Sequence, residues 1–383
     1  MNLTDQLDRL SAFEPVPYPV VSLYLNTQPG QTGRDQYQTF IRKEFAARGR
    51  TFPANSPDRE SLDRDVERIL RYLDTELQPS ANGVAIFACS AGELFEAVQL
   101  GAPIEQHSLY IADRPHLYPL ARLESQNPRY AAVLADTNSA RILVIATGEV
   151  VAQREVTGVK TKRNSQGGSS QARFQRHTEN FHLQHAKEVV DALDKIVRRE
   201  GINQIILAGD EVITPLLREQ MPKHLAEKIV DHVRLDTAAR VDDVLKTTLE
   251  AMKRLDERTD RDKVEAAVGG YRAGGLGVIG PEDTLDALIK GQVEELLVSS
   301  SVRELRGLPR SSRVMSARDA GDAESAVDTA VAGEAADGDP QVVRLADELV
   351  TKAKQTGARI TFIEDASLLS RYGGVAALLR FRI

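Results

Sequence analysis

The chain reads as an α/β protein built in three successive parts. Two patterns alternate along it. Apolar stripes at helical spacing, such as Leu62, Val66, Ile69, Leu70, Leu73 and Leu77, give way to short apolar runs such as Ile205-Ile206-Leu207-Ala208. The first pattern buries one face of a helix, the second a strand covered on both sides. A length of 383 residues is long for one domain and fits two or three. Breaks near residues 127 and 260 set parts at 1–127, 128–259 and 260–383.

In the first part, Val20-Val21-Ser22-Leu23-Tyr24-Leu25 follows Pro15, Pro17 and Pro19 and reads as a strand. Residues 35–48 read as a helix. Ser56-Pro57 supplies a cap and a proline at the first helical position, and opens the helix that carries the Leu62 stripe. Strands surround Val84–Phe87 and Phe95–Leu100, and Pro115, Pro119 and Asn127-Pro128 mark the exit.

In the second part, Tyr130–Asp136, a polar turn at Thr137-Asn138-Ser139 and Arg141–Ile145 read as a hairpin. Gly148-Glu149 turns the chain again into Val150-Val151-Ala152. A segment without apolar periodicity follows. Ala186, Val189, Val190, Leu193, Ile196 and Val197 then form a helical stripe that Gly201 stops. After the buried strand at 204–208, helices surround Leu216-Leu217 and run along Val241, Val244, Leu245, Leu249, Met252 and Leu255.

In the third part, Pro281 opens a helix through Leu285, Leu288 and Ile289, closed by Gly291, and Glu294–Val298 is the next strand. Residues 300–339 are rich in Ala, Asp, Glu, Ser, Arg and Gly, with no large apolar face, and read as a mobile insertion. Asp339-Pro340 opens another helix, Gly357 ends it, Ala358–Ile363 is a strand, and Gly373-Gly374 leads into Val375–Phe381. Alternation from Leu379 to Ile383 points the apolar groups inward and Arg380 and Arg382 outward. Residues 260–383 are expected to fold alone. Gly274-Gly275-Leu276-Gly277 lacks the Gly-Lys-Ser/Thr of a phosphate loop and reads as a turn.

A net charge of −7 argues against a passive, non-specific nucleic-acid binder, but leaves room for a local basic site. The single cysteine, Cys89, precludes an internal disulfide framework and, beside Val84, Ile86 and Phe87, reads as a core thiol. No basic region precedes an apolar run at the N-terminus, and no apolar stretch is long enough to span a bilayer. The expectation is a cytoplasmic protein with no membrane partner.

Two constellations invite a metal reading. His177, His182 and His185 include an i, i+3 pair, but zinc wants three or four ligands and neither CxxC nor HExxH is present. They read as the polar face of a helix, and no metal or other cofactor is expected. Asp136 and Asp210 each end a predicted strand; a two-metal nuclease would need further carboxylates beside them. Asp210-Glu211 reads more simply as a strand-to-helix turn and cap.

The most telling stretch is Gln166-Gly167-Gly168-Ser169-Ser170-Gln171-Ala172-Arg173-Phe174-Gln175-Arg176. From Arg154 to Arg176 there are six basic residues (Arg154, Lys160, Lys162, Arg163, Arg173 and Arg176) against one acid, Glu155. Such local charge in an acidic chain suits contact with phosphates. The stretch resembles the catalytic loop of the archaeo-eukaryotic class-I peptide release factors, whose Gly-Gly-Gln enters the ribosomal peptidyl-transferase centre. Those factors continue with Arg-Phe-x-Arg, as Arg173-Phe174-Gln175-Arg176 does here. The glutamine is displaced: aligned without gaps, Ser169 falls where the family has Gln, and Gln171 lies two residues later.

The order of elements around this loop resembles the RNase H-like middle domain of the same factors. Asp286–Gly291 with Leu296-Leu297-Val298, and Gly373–Arg380, resemble their C-terminal α/β/α domain. The first third is similar only loosely. On these residues the chain is identified as a bacterial member of the superfamily, related also to Pelota and to the Vms-type peptidyl-tRNA hydrolases. The resemblance implies a small α/β N-terminal domain, an RNase H-like middle domain and a C-terminal α/β/α sandwich. It implies a catalytic role for Gly167, Gly168 and Gln171, and RNA binding by Lys160, Lys162, Arg163, Arg173 and Arg176. The implied partners are the ribosome, with tRNA and ribosomal RNA, and a translational GTPase on the C-terminal domain, but no DNA.

Release requires water to attack the ester joining peptide to tRNA. Gly-Gly permits close approach to RNA, and an amide can orient water without acting as a base. The Asn-Ile-Lys-Ser and Tyr-x-Cys-x-x-x-Phe stretches of stop-codon readers are absent. Hydrolysis of peptidyl-tRNA in ribosome rescue, independent of the codon, is therefore what the resemblance implies. A non-catalytic occupant of the ribosomal A site in hibernation or stress, and an RNase H-like nuclease, remain as alternatives.

Overall fold

The computed structural model describes residues 3–28, 35–146, 148–157, 171–210, 212–305 and 339–382. They form a mixed α/β protein with three sheets, one in each of the three stretches distinguished above. The chain divides into two compact units: residues 1–126 with 257–383, and residues 127–256.

The first unit begins with helix α1 (Leu3–Ser11), strand β1 (Val20–Asn26), helices α2 (Asp35–Gly49) and α3 (Pro57–Thr75), strands β2 (Gly83–Cys89), β3 (Leu94–Leu100) and β4 (Ser108–Ala112), and helix α4 (Tyr118–Gln126). The strands make an antiparallel sheet in the order β3-β2-β1-β4. Ser56 caps α3 as expected, its hydroxyl accepting the Arg59 N–H. The α3 stripe packs with α2 on one sheet face, through Ile41, Phe45, Leu62, Ile69 and Leu73 against Leu23, Val84 and Ile86. Cys89 is fully buried, and burial pushes its thiol up.

The second unit carries β5 (Tyr130–Ala135), β6 (Ser139–Ala146), β7 (Glu149–Thr157), α5 (Gln171–Glu200), β8 (Ile205–Gly209), α6 (Ile213–Gln220), α7 (Lys223–Ala226) and β9 (Ile229–Val233), then the start of α8 (Val241–Arg272). Its sheet order is β7-β6-β5-β8-β9. β5, β8 and β9 are parallel, while β6 runs antiparallel to both β5 and β7. The α5 stripe packs with Ile213 and Leu217 of α6 against one sheet face. Val244, Ala251 and Met252 of α8 cover the other. Gly209 has a tight position: a Cβ there would lie 2.6 Å from the Ala135 carbonyl oxygen, so no larger residue lets β8 run so close to β5.

The remaining elements, β10 (Gly277–Ile279), α9 (Pro281–Ile289), β11 (Val293–Ser299), α10 (Pro340–Gln355), β12 (Arg359–Ile363) and β13 (Val375–Leu379), belong to the first unit. Their sheet runs β10-β13-β11-β12, with β11 and β12 parallel. α9 and α10 lie on one face; Val264, Ala267 and Val268 of α8 lie on the other, giving the α/β/α arrangement. Gly277 is required by close approach, since a Cβ would fall 2.0 Å from the Ala267 carbonyl oxygen.

Three expectations need correction. The final strand ends at Leu379, and Phe381 is 47% exposed, because β13 loses its partners beyond Leu379. Helices α1 and α4 and strands β4 and β9 form where no pattern marked them, α4 despite Pro119 in its first turn. Most consequentially, residues 260–383 close one core of their own beneath α8 but share the other with the N-terminal stretch. α1 and α4 share one continuous apolar cluster with α9, α10 and β11–β13, including Leu7, Leu10, Leu117 and Leu120 beside Leu288, Leu349, Val350 and Phe362.

That shared core has a polar centre. Asp347 on α10 is buried, as is His116 just before α4. One Asp347 oxygen accepts the N–H groups of Leu117 and Tyr118 at 2.9 and 3.1 Å; the other lies 2.6 Å from His116 Nδ1. The Tyr118 hydroxyl donates to the Ser299 carbonyl at the end of β11. Asp347 thus satisfies the orphan donors opening α4.

Candidate functional site

The candidate loop joins β7 to α5. Among the described residues β7 is an edge strand, paired only with β6, and none of its side chains is buried. Its last residue, Thr157, pairs with Ser139. The turn there is held by Asp136, whose carboxylate accepts from the backbone N–H of Asn138 and Ser139 and from the Ser139 and Thr237 hydroxyls. Burial pushes this carboxyl up, but those hydrogen bonds outweigh it and hold it below the usual range.

On the far side, α5 begins at Gln171 and runs 30 residues. Burial among its described side chains begins at His185, fourteen residues or about 21 Å of helix beyond Gln171. The far end is secured instead. Glu200 pairs with Arg199 at 2.8 Å and with Arg129, which together hold its carboxyl below the usual range. Asp194 pairs with His224 of α7 and with Arg198, and is likewise held low.

Gly167, Gly168, Lys160, Lys162 and Arg163 lie outside the described residues. The backbones of Gln171, Arg173 and Arg176 form the first two turns of α5; their side chains lie outside the described residues. The structure thus brings three of the sequence-identified residues onto one helix terminus. It separates off the histidines: His182 is half-buried and His185 is 3% exposed, with neither ring nitrogen hydrogen-bonded. The expected polar face is wrong for His185, because its position on the helix faces the same core as Ala186 and Val189.

The nuclease alternative finds little chemistry. Asp136 and Asp210 do end adjacent parallel strands. Asp136, however, is engaged by the turn, and Asp210 caps α6 through the N–H groups of Val212 and Ile213 at 3.0 and 2.8 Å. Among the described residues, no group of three or more His, Cys, Asp or Glu could hold a metal. None of the described helices is long and apolar enough to cross a membrane.

A five-stranded mixed sheet in the order 3-2-1-4-5, with the second strand antiparallel and helices on both faces, defines an RNase H-like domain. The model of bacterial archaeo-eukaryotic release factor family 10 matches residues 115–253, the loop included, and the model of eRF1 domain 3 matches residues 265–383. Peptide chain release factor subunit 1 of Thermoplasma acidophilum is 21% identical over 399 residues, covering 98% of this chain and 94% of that protein. The eukaryotic subunit 1 of Saccharomyces cerevisiae is 24% identical over 301 residues, covering 72% of this chain and 67% of its own length. Among solved structures, S. cerevisiae Dom34, a translation termination-like factor, aligns over 79% of each chain with 11% identity and a TM-score of 0.45. Archaeal Pelota, from a ribosome-bound complex with ABCE1, aligns over 100% of this chain and 95% of its own with 15% identity and a TM-score of 0.42. The chain belongs to the archaeo-eukaryotic release factor superfamily.

Proposed function

We propose that the protein is a ribosome-associated factor that hydrolyses the peptidyl-tRNA ester without reading a codon, and so rescues stalled ribosomes. The observation that carries this reading is the location of the Gly167-Gly168 to Arg176 stretch. It falls inside the family-10 match and runs into the first turns of α5. A loop that leads into the N-terminus of a long helix is suited to entering an RNA-walled cavity. Gln171 orients the attacking water, with Ser169 or Ser170 able to substitute. Lys160, Lys162, Arg163, Arg173 and Arg176 engage the RNA backbone. Ribosomal RNA and substrate supply the rest of the site, so no Ser-His-Asp set is needed. Residues 260–383, of which 265–383 match eRF1 domain 3, are the docking surface for a translational GTPase.

The test is release of peptide from purified stalled ribosomes bearing stop, sense or no codon. Equal release on all three, abolished by Gln171→Ala, is the expected result. Ser169, standing where the family has glutamine, favours a second reading: a cytoplasmic A-site occupant that protects or pauses the ribosome without hydrolysis. Ribosome binding with no release by the unmodified protein would establish that one.

A further inference from the structure

The first unit contains a cleft of about 340 Å³, within the range of roughly 300–1,000 Å³ typical of small-molecule sites. It is built by parts of the chain far apart in sequence: the loop before β4, one side of α4, and the turn after β11. Its apolar wall comes from Ile104, Pro119 and Leu123. Its polar side carries two arginines and a histidine, with the Glu105 carboxylate at the same lining.

Arg122 of α4 is half-buried, and its Nε is buried without a hydrogen-bond partner. The carboxylate paired with it, Glu105, is 3.8 Å away and 83% exposed, too solvated to neutralise it. Arg303 lines the same cleft from the other side of the shared core. His107 contributes a third donor. Its Nδ1 accepts the Asn26 N–H at 3.1 Å, which leaves the proton on Nε2, and burial lowers its pKa so that the ring is neutral at pH 7. Two guanidinium groups and a neutral N–H, beside an apolar wall, complement an anion with several oxygens and a small body.

We propose that this cleft binds a phosphate-bearing molecule of mononucleotide size, with Arg122 and Arg303 on the phosphate and Ile104, Pro119 and Leu123 against its body. The cleft residues belong to the first unit and the candidate loop to the second, and the proposal does not rest on ester hydrolysis. Because the cleft is lined by both the N-terminal and C-terminal stretches, occupancy should stabilise their union.

The experiment is calorimetric titration of the full-length protein with AMP, GMP, inorganic phosphate and adenosine, paired with thermal unfolding. AMP or GMP is expected to bind and to raise Tm, while adenosine does not bind. Arg122→Gln and the exposed Arg303→Gln should each weaken binding about tenfold or more. Circular dichroism of both variants separates lost binding from lost folding. The proposal is overturned by any of three results: no binding of either nucleotide at about 1 mM, inorganic phosphate or adenosine binding as tightly as a nucleotide, or affinity unchanged in both folded variants.

Discussion

The two compact units differ in how deeply their most heavily bonded carboxylates are set. In the first unit two of them are buried and structural. Asp347 holds the entry to α4, and Glu295, only 6% exposed, is bound by Lys263 and Thr361 at 2.7 Å each. Burial pushes Glu295 up, yet these partners hold it below the usual range. In the second unit the engaged carboxylates lie nearer the surface, where Asp136, Asp194, Glu200 and Asp210 cap turns and anchor helix ends. The difference teaches where each unit tolerates change. Removing a buried carboxylate strands donors in a dry core, whereas the surface carboxylates of the second unit only supplement the apolar stripe that anchors α5.

The sharpest break of this comparison lies in the loop. Gln171→Ala should lower peptide release by at least about a hundredfold, the scale of losing a group used in the transition state, while urea unfolding stays unchanged. Gly168→Ala should act alike, through backbone freedom that alanine lacks. Release at the unmodified rate in both variants would remove the catalytic role.

The reverse pattern is expected in the first unit. Asp347→Ala leaves the Leu117 and Tyr118 N–H groups and His116 without their acceptor, and should cost about 3–5 kcal/mol in chemical denaturation. Asp347→Asn keeps one acceptor oxygen and should cost less. A loss under about 1 kcal/mol in the alanine variant would show that apolar packing alone joins the two ends of the chain.

Asp65 sharpens the point with pH. Burial raises its carboxyl to about 6, against hydrogen bonds from Ser90 that lower it. An acid raised on folding contributes stability that is present below its unfolded pKa and lost as pH rises through the folded one. Between pH 4 and 8 this group should therefore withdraw about 1–2 kcal/mol, after allowance for solvent screening. Asp65→Asn should flatten that part of the stability profile. An unchanged slope would mean that other groups set the pH dependence.

The smallest effect concerns ribosome affinity. Neutralising Arg173 and Arg176 together should reduce the salt dependence of binding by about one unit of slope per lost phosphate contact. Binding indifferent to both salt and these changes would place the interface elsewhere on the protein.

Local pattern was enough for most elements. The α3 and α5 stripes, the Ser56-Pro57 and Asp339-Pro340 starts and the β5–β6 hairpin are written in neighbouring residues, because helix and strand periods act over a few positions. The candidate loop was legible for a different reason: its glycines, amides and arginines follow one another in a single stretch. α4 was not, since Pro119 obscured it and its first donors are satisfied by Asp347, some 230 residues away. His185 was misread because one buried histidine on a polar-looking turn has no local signature. The cleft lined by Arg122, His107 and Arg303 was invisible for the same cause. What the sequence alone determined is what covalent neighbours decide: helices, strands, and the chemistry of one loop. The union of the chain's two ends into one core was decided only by tertiary structure, since Leu7 and Leu349 look equally apolar wherever their partners lie. Apolar burial has no direction, and pairing at long range is set by shape and by which buried polar group finds its acceptor.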